Sequence, residues 1–268
     1  MNYIHLGKSG CKLEIKNNSI IRKSSTQLAY SSRLFKQAHK QANFPQSKYD
    51  HLFAPKVYRL ENTPLSCFEM EYLPGSTFIN FFETSSFQSI ESATNTMIKF
   101  LQINLKEADP QSINQLLLDK LEFLSKKSQF GETISQLETY IVNHDLIIPH
   151  SYCHGDMTLS NMLFVNSDIY LIDFLDSFVD SVLVDLVKLK QDLHYYWSLE
   201  MVNVRKTRFI SVFGYIWNRI KTEFDLQVNS NVFKVLEVVN FLRIEPYVST
   251  SREYQLLSDI ISRLGEYE

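Results

Sequence analysis

Short stretches of alternating apolar and polar residues open the chain. Residues 2–6 (Tyr3, Ile4, Leu6) and 11–16 (Cys11, Leu13, Ile15) carry the period of half-buried strands. Gly7-Lys8-Ser9-Gly10 and Asn17-Asn18-Ser19 separate them as turns, and Ile20–Lys23 is a third short strand. Ser24, Ser25 and Thr26 offer caps to a helix over 27–42, with Leu28, Leu34, Phe35 and Ala38 near helical spacing, and Pro45 ends it. Residues 57–60 and 65–71 predict two more strands around Asn62-Thr63-Pro64. At Tyr72-Leu73-Pro74-Gly75 the period changes. Helices are predicted over 86–106, 111–127, 132–144, 180–199, 205–224, 230–243 and 251–266. One interruption stands in this run. The apolar stretches 162–165 and 169–174 flank Asn166-Ser167-Asp168 and predict a hairpin.

Composition narrows the class. The chain has 268 residues, 44% of them hydrophobic, enough for one large or two small cored domains. Seven Gly and seven Pro exclude a collagen-like or low-complexity chain. The net charge of −3 lacks the basic excess expected of a partner of nucleic acid. The N-terminus has no long apolar segment, and no run of 18 apolar residues predicts a membrane span. Cys11, Cys67 and Cys153 form no CxxC pair and are expected as free thiols, which places the protein in the cytoplasm.

The candidate chemistry lies in CHGDMTLSNMLFVNSDIYLIDF, residues 153–174. Asp156 is suited to receive the proton of an attacking hydroxyl. Asn161 and Asp173 are hard oxygen ligands, suited to Mg²⁺ between nucleotide phosphates. Asp173 ends an apolar strand and so stands on a rigid support. Phosphoryl transfer needs this set and little covalent chemistry besides.

HGDxxxxN followed by Ile172-Asp173-Phe174 resembles the catalytic and metal-binding core of the protein-kinase-like fold. It is most similar to the aminoglycoside phosphotransferase and choline kinase branch, which has HGD where protein kinases have HRD. The resemblance covers roughly residues 1–190. It implies an α+β, two-lobed fold: a small β-rich N-lobe over 1–71, a hinge at 72–75, and a larger mainly helical C-lobe over 76–268. It also implies ATP and Mg²⁺ as cofactors, with a small-molecule hydroxyl as acceptor. SCFEMEYLPG, residues 66–75, is similar to the branch's strand-to-hinge segment. There Met70 would be the gatekeeper, and the Glu71 and Leu73 backbones would meet adenine. Lys23 resembles the phosphate-gripping lysine, with Ile21 on the same strand face roofing the adenine; Arg22 is the competitor for that role. Ser9 and Gly10 belong to a turn similar to a shortened nucleotide-covering loop, though a plain hairpin turn explains it nearly as well. Asp185-Leu186 resembles the pair that opens a C-lobe helix. His154 is expected to pack the loop rather than act as a base.

Three departures follow. The branch's first helix usually carries a glutamate that pairs with the lysine, yet residues 24–49 contain no Asp or Glu. Gln37 and Gln41 are the neutral candidates to hydrogen-bond Lys23. Leu175 stands where a DFG glycine would be. The path from Asp173 to Asp185 is too short for an activation segment, which argues against a protein substrate. For the acceptor, Asp176, Asp180 and Asp192 suit a polyamine or aminoglycoside, and the aromatics of His194–Trp197 suit choline or a sugar; both sets also fit ordinary helix caps and core. Thr158 and Ser160 are the nearer polar candidates. The opening GKSGCK…IIRKSS is similar to phosphotransferase-like proteins of surface-polysaccharide loci, which favours a sugar-derived acceptor. A nucleotide-binding pseudokinase is the alternative from another class.

Overall fold

The computed structural model describes residues 4–6, 11–16, 18–200, 202 and 206–264. The chain groups into two compact units: Met1–Phe100 with His154–Ser177, and Leu101–Cys153 with Phe178–Glu268.

The first unit holds a five-stranded antiparallel sheet in the order β1-β2-β3-β6-β5. Its strands are β1 (Ile4–Leu6), β2 (Cys11–Lys16), β3 (Ile20–Ser25), β5 (Val57–Glu61) and β6 (Cys67–Glu71). Register pairs Ile21 with Met70 and Lys23 with Phe68, so these four residues share one sheet face. Helix α1 (Leu28–Ala42) packs against β3, β5 and β6. Leu34 and Ala38 join Cys11, Phe68 and Met70 in a core, with Ile21 packed against it. On the opposite face Arg22 binds Glu69 at 3.2 Å and Glu61 at 3.5 Å. Strand alternation thus sends Arg22 outward and Lys23 inward.

The predicted hairpin forms as β9 (Met162–Val165) and β10 (Asp168–Leu171). Asn166, in the loop between them, has φ +55°, a left-handed conformation that Asn tolerates. A strand not read from sequence, β4 (Leu52–Phe53), runs parallel to β10. Two residues are too few for any periodicity to show. Past the hinge, Ser76 exchanges backbone hydrogen bonds of 2.9 Å with Phe164. A side chain on Gly75 would come within 3.3 Å of the Phe164 carbonyl oxygen, so glycine permits that approach. Helix α2 (Phe78–Thr84), also missed from sequence, then lays Phe81 flat on Phe164 at 3.9 Å between ring centroids. Helix α3 (Phe87–Lys106) follows.

The second unit is mainly helical. The helix predicted over 111–127 is instead β7 (Asp109–Ser112) followed by α4 (Asn114–Ser125). Pro110 disfavours helix at Asp109, and β7 pairs antiparallel with β8 (Ile147–His150). Helix α5 (Gly131–Asn143) lies between. The helix predicted over 180–199 is split: Ser181 caps α6 (Val182–Leu193), and Tyr196 at φ +59° separates it from α7 (Trp197–Glu200). Helices α8 (Lys206–Glu223), α9 (Asp225–Val228), α10 (Asn231–Ile244) and α11 (Ser251–Leu264) complete the unit. Helix α10 is buried along nearly all its length, and its Glu237 pairs with Lys190 at 2.7 Å. Among the described residues no helix is long and apolar enough to cross a membrane. The three cysteines are free thiols.

Phe82 is fully buried beside Phe81 and Phe164, where it secures the hairpin to α2. Phe82→Ala is expected to lower stability by about 3–5 kcal/mol in urea unfolding.

Candidate functional site

The residues of 154–174 fold into a loop braced against the strand that follows it. His154 lies fully buried, and its ring bridges two backbone groups. Its Nδ1 accepts the Asp156 N–H at 3.2 Å, and its Nε2 donates to the Ile172 carbonyl at 2.9 Å. An N–H can only donate and a carbonyl can only accept, so the imidazole is the neutral Nε2–H tautomer. Burial pushes its pKa down to about 4, against an opposing pull from Asp156. The Leu175 N–H returns to the His154 carbonyl at 3.0 Å, and the Ile172 N–H to the Asn161 carbonyl at 3.0 Å. These bonds clasp the loop to both sides of Asp173.

Gly155 takes φ +86°. A Cβ there would stand 2.6 Å from the Leu175 carbonyl oxygen and 2.5 Å from Ser177 Oγ. That crowding accounts for glycine between His154 and Asp156. Asn161 Nδ2 donates to the Asp156 carboxylate at 3.0 Å and to its backbone carbonyl at 2.8 Å. The amide's donor end is thereby committed, and its Oδ1 makes no hydrogen bond among the described residues. Asp173 stands at φ +59° with its side chain half exposed. The Thr158 and Ser160 hydroxyls bond each other at 2.9 Å.

Lys23 is 5% exposed, and its Nζ donates to Asp173 Oδ1 at 2.7 Å. Burial alone would lower the Lys23 pKa, but the charge and hydrogen bond of Asp173 outweigh it and raise the pKa above the usual lysine range. Lys23, rather than Arg22, therefore reaches the loop. The two glutamines of α1 do not reach Lys23. Gln41 is turned to the Pro55 carbonyl at 2.9 Å and Met70 Sδ at 3.4 Å, while Gln37 accepts from Tyr30 Oη at 3.3 Å. Both are buried beneath the sheet, and the acid that holds Lys23 comes from the loop.

The adenine-facing expectations divide. Met70 is buried, with Ile21 opposite it in register. The Glu71 N–H is taken by the Lys56 carbonyl at 2.9 Å. The Leu73 backbone has no hydrogen-bond partner among the described residues. Ser9 and Gly10 lie outside the described residues. Of the acidic residues considered for an acceptor, Asp176 pairs with Lys36 at 3.0 Å, and buried Asp192 accepts from Ser198 Oγ at 2.7 Å. Trp197 is buried in the core, the half-buried Tyr195 donates its hydroxyl to Glu237 at 3.3 Å, Tyr196 is half-buried and His194 is exposed. Asp185 is buried in the first turn of α6. Two surface cavities, of about 270 and 250 Å³, border α3 and contain none of these site residues. Sequence reasoning missed Lys40, whose Nζ donates to the Leu175 carbonyl at 3.1 Å. Its spacing of four from Lys36 was the available signal.

No protein-family model and no curated protein matches the chain. Solved structures do. The fold is that of the kinase-like aminoglycoside phosphotransferases. An apo thermostable mutant of aminoglycoside phosphotransferase APH(4)-Ia is similar with a TM-score of 0.65 and 9% identity, over 100% of this chain and 96% of that one. The gentamicin complex of APH(2")-IIa gives 0.61 and 14%, over 99% and 91%. ADP-bound APH(2'')-Ib gives 0.58 and 13%, over 99% and 92%.

Two outcomes are expected. Gly155→Ala should cost about 1–3 kcal/mol from the backbone alone, with the crowding in addition, seen as a lowered melting temperature. Stability should also depend on His154. It titrates near 4 when folded and near 6.5 when unfolded. The unfolded chain therefore binds the extra proton between those values. Stability should be full above about pH 6.5 and fall by roughly 3 kcal/mol on descending to about pH 4. Urea unfolding across that range checks this, and His154→Gln should flatten the slope.

Proposed function

We propose that the protein is a phosphotransferase that moves the γ-phosphoryl group of ATP to a hydroxyl of a small molecule, with Mg²⁺. One observation carries this reading. The Lys23–Asp173 bond joins the third strand to the end of the hairpin, beside a loop in which Asn161 holds Asp156. These contacts gather, from distant parts of the chain, the groups to which this reading gives phosphate gripping, metal binding and proton acceptance.

The donor set suits a hard cation. Asp173 and Asn161 offer oxygen ligands, and no cluster of three His, Cys, Asp or Glu side chains forms a protein-only metal cage among the described residues. Such a pair fits an ion held jointly with nucleotide phosphates. Mg²⁺ there would neutralise charge on the phosphates. The chain's own residues do the rest. Asp156 orients the acceptor hydroxyl and takes its proton as the oxygen bonds to the γ-phosphorus. The bond from that phosphorus to the β–γ bridging oxygen breaks, and ADP leaves with the electron pair. Lys23 trades Asp173 for the phosphate oxygens. The Leu73 backbone is available to adenine beside Met70. A neutral His154 keeps the Asp156 amide in place and moves no proton.

The acceptor we favour is a sugar or sugar derivative, with aminoglycosides and choline as the nearest alternatives. The neighbours include an APH(4)-Ia complex with AMP-PNP and hygromycin B. Free thiols and ATP use fit a cytoplasmic protein. A second reading, a pseudokinase that binds nucleotide without turnover, is favoured by the lack of any α1 acid on Lys23.

ADP release should be measured with Mg²⁺ and ATP across sugars, sugar nucleotides, choline and aminoglycosides. An acceptor should stimulate release, and Asp156→Asn should lower kcat by about 10²- to 10⁴-fold while keeping nucleotide affinity. Asp173→Ala retaining full activity would sink the metal assignment. ATP binding without turnover on any acceptor favours the pseudokinase.

A further inference from the structure

We propose that Lys40, within a stripe of contacts formed by Lys36, Lys40 and Phe44 on and just past α1, positions Asp173 for its metal, in place of a helix glutamate acting on Lys23. The proposal rests on the kinase reading above. Its ground is an ordered set of contacts. Phe44 packs edge-on against Phe174 with 5.6 Å between centroids. Lys40 donates to the Leu175 carbonyl at 3.1 Å, and Lys36 pairs with Asp176 at 3.0 Å. Positions 36, 40 and 44 recur at one helical turn. They meet 176, 175 and 174 in antiparallel order, the three residues that directly follow Asp173. Phe44 lies just past the helix, and its N–H is held by the Gln41 carbonyl at 3.1 Å.

The segment has reason to need holding. Asp173 keeps a left-handed backbone that a non-glycine residue maintains only when its surroundings impose it. On one side the Leu175 N–H is fixed by the His154 carbonyl. On the other its carbonyl is fixed by Lys40. Both ends of Leu175 are thus tied, one to the catalytic loop and one to α1. Residues 24–49 contain no acid, so the charged side chains that α1 brings to this segment are cations. When the Asp173 carboxylate turns from Lys23 to a metal, its bond to β3 is lost, whereas the stripe's contacts with 174–176 do not involve that carboxylate. The Lys36–Asp176 pair is solvent-exposed and contributes little. Lys40, half-buried, is the positioning residue of the stripe.

The test uses Lys40→Met, Lys40→Arg and Lys36→Met. Two readouts are taken: hydrogen exchange over 174–177 without nucleotide, and ADP affinity with and without Mg²⁺. Lys40→Met should speed exchange in that segment about tenfold and remove about tenfold of the Mg²⁺-dependent gain in ADP affinity. ADP affinity without Mg²⁺ should stay unchanged, Lys40→Arg should restore both readouts, and Lys36→Met should match the wild type. If Lys40→Met does not fold, the proposal stands or falls on Lys40→Gln in the same two readouts. Wild-type exchange and Mg²⁺ dependence in the variant would overturn the proposal alone, as would an equal loss with and without Mg²⁺. A wild type whose ADP binding ignores Mg²⁺ would overturn the proposal and the kinase reading together.

Discussion

Asp156 and Asp173 both take their places from the imidazole of His154. Its two nitrogens are spent on the Asp156 N–H and the Ile172 carbonyl, groups adjoining the two carboxylates. A charged ring could not make this bridge, because both nitrogens would then donate. Burial keeps the ring neutral, so the environment that depresses its pKa also preserves the geometry. Gly155 completes the constraint, since the chain must turn through a left-handed conformation while passing close to the Leu175 carbonyl. Fold and site are inseparable here: the hairpin that buries Met162, Phe164, Ile169 and Leu171 is also the support that ends in Asp173.

In the kinase reading, the Lys23–Asp173 bond is a resting arrangement: the ammonium stands where a metal would meet Asp173, and the carboxylate where phosphate would meet Lys23. A buried lysine without any anion would be costly, so Asp173 keeps Lys23 charged until an anion replaces it. In the kinase reading, nucleotide and Mg²⁺ arrive together and satisfy both groups at once. Under the further proposal, the contacts of Lys36, Lys40 and Phe44 with residues 174–176 would give this exchange a fixed frame, because they hold the residues after Asp173 instead of Lys23.

Much of this was legible in the sequence. The HGD loop, Asn161 and Asp173 stood out because phosphoryl transfer, the chemistry proposed for them, demands particular residue types at particular spacings. The hairpin stood out because two apolar runs flank a turn-forming Asn166. Strand alternation put Lys23 and Arg22 on opposite faces, and the structure assigns the inward one to Lys23. Other features left no local trace. Strand β4 is too short for a period, and its pairing partner lies far along the chain. The helix predicted over 111–127 lost its start to pairing with β8, a tertiary effect that overrides local propensity. The glutamines of α1 carried the right spacing to face Lys23, but their amides were drawn to Pro55, Met70 and Tyr30. Lys40 has the sequence signature of any surface lysine, and only its contact with Leu175 sets it apart.

The central claim is transfer to a hydroxyl, as opposed to nucleotide binding or hydrolysis. ³¹P NMR of the protein with Mg²⁺, ATP and a mixture of sugars, sugar derivatives and amino alcohols reads it directly. The account predicts a phosphomonoester resonance that grows as the γ-phosphate signal of ATP declines. Inorganic phosphate as the sole new signal, or an unchanged ATP spectrum from protein that binds the nucleotide, would contradict it.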